Sequence, residues 1–300
     1  MARGTAPVRQ SPGYGSGMHR TTPRLAVAGL VLTALLAACG PAADAGPSPS
    51  STGTGTEPGR DPQVVETPAP PTAADVRGTG TPVTSGGLTL AARAELETAT
   101  VTVEPQPDGS VAATVPVWAR TTPPALVATL AAAEGTTFDP QVDGSVVVRD
   151  AAGVFVGGLA PATAVSEDDA RLRAAYEVAA PDLLTVTVSP GLTGATFDAP
   201  GTVRMWFGTV VLESATWGER EGGRSLAVDP TPWARAGGLA AQDGTWAAVV
   251  AQEPEADSTG MRDQFLCHAV GAPDKDTWNL EPWRPDAGSL ATLAARCNPE

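Results

Sequence analysis

The residues with chemistry to offer lie close to the C-terminus: Asp263, His268, Trp278, Asn279, Glu281, Trp283, Arg284 and Asp286. Carboxylates beside flat aromatic rings suit sugar binding or glycoside hydrolysis, in which two acids must flank the scissile bond. Beyond His19, His268 is the one histidine of the chain. Hydrolysis of an ester or glycan by a Ser-His-Asp type of arrangement would therefore rest on His268 with Asp263 or Glu281 as its partner. No Gly-x-Ser-x-Gly elbow accompanies it. One histidine and two cysteines that read as a disulfide leave too few ligands for zinc, so neither a metal nor a cofactor is expected. A second chemistry is recognition: tryptophan, asparagine and arginine are what binding hot spots use, and Trp278, Asn279, Trp283, Arg284 and Asp286 are the binding candidates. The plain structural alternative has both tryptophans capping a small core, Arg284 paired with Glu281 or Asp286, and His268 hydrogen-bonded in place.

Several elements must position these groups. Met261, Phe265 and Leu266 form the expected inner face of a short helix carrying Asp263, Cys267 and His268. A last helix, capped by Ser289 with Leu290 and Leu293 turned inward, would deliver Cys297. Cys267 and Cys297 are the pair left after Cys39, and an even pair in an exported chain reads as one disulfide. That bond would tie the two helices together and fix the loop over 278–286. Upstream, residues 210–215 and 225–228 read as a strand pair across Gly222-Gly223. Trp246, Val249 and Val250 share a helical face, with Asp243 or Thr245 as cap and Pro254 as stop.

The same block holds five of the seven tryptophans, the only lysine (Lys275) and both asparagines. Its run Gly260-Met261-Arg262-Asp263-Gln264-Phe265-Leu266-Cys267-His268, followed by Trp278-Asn279-Leu280-Glu281-Pro282-Trp283-Arg284-Pro285 and Cys297-Asn298-Pro299, resembles the bacterial domain of unknown function 2599. Trp217, Arg220, residues 225–228, Pro230-Thr231 and Trp233 extend the likeness. That family is common in secreted proteins and lipoproteins of actinobacteria. The resemblance implies a place in a family and brings no activity, substrate or catalytic residue.

Residues 88–209 read as strands. Alternating Thr and Val over 100–103, a turn at Asp108-Gly109 and alternation over 111–118 make a hairpin. Asp143-Gly144, Ala151-Ala152-Gly153 and Pro181-Asp182 mark further turns between short apolar runs. Pro123 to Glu134, with proline early and Gly135 after, reads as one short helix. The expected fold is mainly β with a few short helices: an antiparallel sandwich-like part over 88–209 and a small α+β module over 210–300, closed by one disulfide.

The start of the chain reads as an address. Arg3, Arg9, Arg20 and Arg24 precede an apolar run over 25–36, and no acid occurs before Asp44. The 14 residues from 25 to 38 are too few to cross about 30 Å of hydrocarbon at about 1.5 Å each. Leu36-Ala37-Ala38-Cys39-Gly40 resembles the lipobox of bacterial lipoproteins, in which the cysteine takes a diacylglycerol thioether. Residues 1–38 thus read as the signal, with Met1 or Met18 as the start. Residues 39–87, rich in Pro, Thr, Ser and Gly, read as a disordered tether, which over about 47 residues would span roughly 40 Å as a flexible coil. Without residues 1–38 the formal charge is 15 minus 33, or −18, which argues against nucleic acid as a partner. The expectation is a lipid-anchored protein on the outer face of the cytoplasmic membrane that binds a cell-wall glycan, another envelope component or a protein partner. The alternatives are an envelope hydrolase and a structural spacer.

Overall fold

Tight turns and period-two alternation build most of the chain. A computed structural model describes residues 71–118, 124–168, 171–191 and 199–300. Cys39, the signal and most of the expected tether lie outside the described residues. In chain order the elements are α1 (Ala73–Thr79), β1 (Thr81–Ser85), β2 (Leu88–Ala94), β3 (Thr102–Pro105), β4 (Val111–Val117), β5 (Ala125–Ala131), β6 (Thr137–Pro140) and β7 (Val146–Arg149). There follow β8 (Phe155–Leu159), β9 (Thr163–Ser166), β10 (Leu172–Ala180), β11 (Leu183–Pro190) and β12 (Gly201–Gly208). The last part comprises β13 (Leu212–Arg220), β14 (Gly223–Pro230), α2 (Pro232–Ala236), α3 (Gly238–Gln252), α4 (Thr259–Gly271), β15 (Trp278–Leu280) and α5 (Ser289–Ala294). Among the described residues no helix is long and apolar enough to cross a membrane.

The fold is mainly β and antiparallel. A five-stranded sheet in the order β1-β2-β5-β11-β10 faces a seven-stranded sheet ordered β3-β4-β12-β8-β7-β6, with β9 also on β12. Leu90, Val127, Leu130, Leu184 and Val186 of the first sheet share one core with Val115, Val148, Leu159, Met205 and Phe207 of the second. The hairpins expected at Asp108-Gly109, across Ala151-Ala152-Gly153 and at Pro181-Asp182 are present as β3–β4, β7–β8 and β10–β11.

Two expectations fail here. The segment read as a helix over 123–134 contains β5, whose Leu130 and Ala131 pair with β2 and β11 on either side. Residues 125–131 are buried apart from Leu126, because the sandwich core covers one face and α1 the other. A strand buried on both faces loses its alternation and looks like a helix segment. The ordered body also begins earlier than residue 88. Thr72 caps α1 in a reciprocal capping box with Asp75, and Val76 of α1 and Val83 of β1 are buried.

The C-terminal module consists of the sheet β13-β14-β15 with α3 and α4 against one face. Phe265 lies between the Trp246 and Trp278 rings, at centroid distances of 5.4 and 5.5 Å. Cys267 and Cys297 form the expected disulfide, with Cα atoms 5.4 Å apart. The helix over Trp246 begins at Gly238, so Asp243 and Thr245 lie inside it and cap nothing. Ser289 is likewise not the cap of α5: that position is Gly288. Leu290 and Leu293 point outward, 86% and 48% exposed, while Thr292 is the buried residue of the helix.

A repeated hexad joins the module to the sandwich. Gln106-Pro107-Asp108-Gly109-Ser110-Val111 and Gln141-Val142-Asp143-Gly144-Ser145-Val146 form the β3–β4 and β6–β7 turns. Each needs its glycine at positive φ, 79° at Gly109 and 86° at Gly144. Asp108 Oδ1 accepts from the Ser110 amide at 3.0 Å and its Oδ2 from the Trp233 amide at 2.8 Å, inside α2. Asp143 Oδ2 accepts from the Leu239 amide at 2.7 Å and Ser145 Oγ from the Ala240 amide at 3.0 Å, at the start of α3. Each turn thereby satisfies amide donors that a helix start leaves unpaired. The Trp233 ring, fully buried, fills a notch over Gly158 and Gly208 and donates from Nε1 to the Trp206 carbonyl at 3.2 Å.

Candidate functional site

The residues singled out from sequence fall in three places. Glu281, Arg284 and Asp286 line a cleft of about 400 Å³ whose other wall is the start of α4, from the Ser258 cap through Gly260 to Gln264. Gln264 fixes the loop by accepting from the Glu281 amide at 2.8 Å and donating to the Glu281 carbonyl at 3.0 Å. Its amide thus stands in for a strand neighbour just beyond the end of β15. The Glu281 carboxylate, itself buried, pairs with Arg284. The guanidinium also donates to Glu221 Oε2 at 2.5 Å and to the Pro299 carbonyl at 3.3 Å. Three acceptors on a planar fork hold Arg284 in one orientation.

Trp283 lies against that fork. The Arg284 guanidinium carbon is 4.5 Å from its ring centroid, within cation–π range. The indole is 46% exposed and also covers Gly223, where a Cβ would overlap Nε1. Trp278 behaves in the opposite way, buried in the module core against Phe265. Its neighbour Asn279 is partly exposed on the other face of β15.

His268 and Asp263 sit elsewhere. His268 is 2% exposed, and its Nε2 lies 3.2 Å from the Asn279 carbonyl, so Nε2 carries the hydrogen. Its Nδ1 has no partner. Burial pushes the imidazole down to about 4, and the positive charge of Lys275 acts in the same direction against the Asn279 hydrogen bond. Asp263 accepts from Ser289 Oγ at 2.6 Å, which ties α4 to α5. None of Asp263, His268 and Glu281 bonds to another of the three: each is held by a separate structural partner. Among the described residues no cluster of His, Cys, Asp and Glu is arranged to hold a metal ion.

Gln264 and Glu221, which hold the cleft loop in place, were not singled out from sequence. Gln264 lies inside the Asp-Gln-Phe run between two residues that were, and a buried amide at that helical position was the available signal. Glu221 sits in a hairpin turn and carried none.

The comparisons coincide with this module. Residues 212–300 match the family described as Protein of unknown function (DUF2599). Uncharacterized proteins of Mycobacterium bovis and Mycobacterium tuberculosis are each 45% identical over 95 residues, 29% of this chain and 62% of their own length. An uncharacterized protein of Mycobacterium leprae is 37% identical over 81 residues, 26% of this chain and 60% of its own. The chain therefore spans less than two thirds of these relatives. No solved structure matches it. The strand that opens the module, the disulfide and the cleft all lie within the matched stretch, and residues 212–300 are a DUF2599 domain.

Proposed function

We propose that the chain is a surface-tethered recognition module, lipid-anchored through Cys39 outside the cytoplasmic membrane, whose DUF2599 domain binds an envelope component or protein partner. One observation carries the binding reading: Trp283 presents a half-exposed indole on an arginine locked by Glu281, Glu221 and the Pro299 carbonyl. A rigid aromatic at the surface loses little freedom on binding, which is why such residues dominate interfaces. The adjoining cleft adds Asp286 and the first turn of α4. The alternative, a hydrolase using His268 with Asp263 or Glu281, draws little support from a buried imidazole whose Nε2 is occupied by a carbonyl.

Capture from an envelope extract separates these readings. The intact chain is expected to retain a component that Trp283→Ala loses, with unchanged circular dichroism. Trp283 is the residue to change, since removing buried Trp278 would disturb the core. Absent or tryptophan-independent capture indicates a spacer. Release of products from cell wall, abolished by His268→Ala, would establish the hydrolase. The anchor has its own test: Cys39→Ser should move the protein from the membrane fraction to the soluble one.

A further inference from the structure

The outer face of the C-terminal sheet is unusual for what it lacks. Leu226 and Val228 of β14, with Trp278 and Leu280 of β15, point into the core. Strand alternation therefore puts Ser225, Ala227 and Asn279 on the opposite face. The register aligns Thr216 with Ala227, Gly218 with Ser225, Arg220 with Gly223, and Ala227 with Asn279. The result is a floor of Gly218, Ser225 and Ala227 with no large side chain, edged by Thr216, Arg220 and Asn279. It forms a cleft of about 300 Å³.

Two further observations mark this face as unfinished. Ser225 is buried and lines the cleft, yet its hydroxyl has no hydrogen-bond partner. A buried hydroxyl of that kind is uncommon and costs free energy until something pairs with it. At the turn end, the Trp283 indole lies over Gly223, where any Cβ would displace it. The glycine thus seats the aromatic ring at one end of the small-residue floor, two positions along β14 from Ser225.

We propose that this face is a carbohydrate site, in which a neutral sugar ring lies on the floor between Asn279 and Arg220 with Trp283 at its end. The assignment rests on the recognition reading above and supplies its ligand class. Serine and threonine hydroxyls and the asparagine carboxamide each donate and accept, which matches sugar hydroxyls that do both. Arg220 adds a donor whose charge is offset by Glu221 at 4.0 Å, so the rim favours a ligand without net charge. A floor of glycine and alanine accepts the flat C–H face of a ring, and the indole offers it an apolar wall.

The test titrates D-glucose, D-galactose and N-acetyl-D-glucosamine separately into the purified chain and follows backbone amide shifts by NMR. At least one sugar is expected to give saturable shifts centred on Gly218, Ser225, Ala227 and Asn279. Ser225→Ala and Asn279→Ala should each weaken that binding at least tenfold while circular dichroism stays unchanged. No saturable response to any of the three sugars overturns the proposal. So do shifts centred elsewhere, or binding indifferent to both variants. If the sugars fail while envelope capture still depends on Trp283, the carbohydrate assignment falls and the recognition reading stands. If the sugars bind at this face while envelope capture is absent, the assignment holds and the envelope partner is wrong.

Discussion

At the scale of single residues, the module separates groups that look catalytic from groups that look adhesive. His268 has its one available proton committed to the Asn279 carbonyl, and burial holds its pKa at about 4, so it is neutral at physiological pH. The unfolded imidazole titrates near 6.5. Between these values the unfolded chain binds the proton and the folded chain refuses it, so stability should fall as pH drops from about 6.5 to about 4. The full shift corresponds to about 3 kcal/mol. Urea unfolding at stepped pH should show this slope in the wild type, and His268→Gln should flatten it. Trp283 makes the complementary case. Its exposure and its seat on Arg284 predict that Trp283→Ala costs under about 1 kcal/mol of stability, as for a surface substitution, while removing partner capture. The partner of Arg284 was legible in sequence down to two acids, Glu281 or Asp286, because oppositely charged neighbours in a short loop have few other places to go, and Glu281 is the one of the two that it bonds. Whether Asp263 or Glu281 meets His268, as the alternative hydrolase reading needs, was not legible, because proximity along a helix and a disulfide says nothing about which way each side chain turns.

Among the elements, the two Asp-Gly-Ser turns show where sequence reading stops. Their role as hairpin turns was legible, since Asp-Gly between alternating residues is a local signal. Their second role was not: Asp108 and Asp143 bond amides 125 and 96 residues away, and no local pattern announces a cap delivered by another strand pair. The same limit explains α3, whose first turn has no side-chain cap of its own and was therefore placed too late. It also explains β5, where burial on both faces erased the alternation. Asp108→Ala and Asp143→Ala should each cost about 1 kcal/mol, the usual penalty for losing a helix cap, measurable as a lowered urea midpoint. Burial by itself would raise both carboxyls, but hydrogen bonds from Ser110 and the Trp233 amide, and from Ser145 and the Leu239 amide, hold them below the ordinary 3.8. Their contribution is thus complete above about pH 4 and lost only as pH falls further, a window below that of His268. Acid titration of the Asp143→Ala variant should lose the lower phase in part and keep the upper one.

For the whole molecule, the described residues from 71 onward belong to one compact unit, and its two parts are joined by groups that neither could satisfy alone. Separating the DUF2599 domain from the sandwich would leave the α2 and α3 amides without Asp108, Asp143 and Ser145, and would expose the Trp233 ring now buried over Gly158 and Gly208. Burial of a tryptophan of this kind is worth about 3–5 kcal/mol by truncation, which exceeds what either cap contributes. Heating the chain should therefore give one calorimetric transition spanning sandwich and module together, with Trp233 as its coupling residue. A methyl group at Gly208 would overlap the Trp233 ring, which sits over the paired Gly208 and Gly158 and would have to lift away from the sheet. Gly208→Ala is expected to cost about 1–3 kcal/mol through overpacking and to split the single transition in two. The disulfide would then keep the module folded to a higher temperature than the sandwich, since a cross-link over 30 residues contributes about 3–4 kcal/mol. Reductant should bring the upper transition down toward the lower one. A single transition in Gly208→Ala that merely shifts downward would mean that the caps alone suffice to couple the two parts.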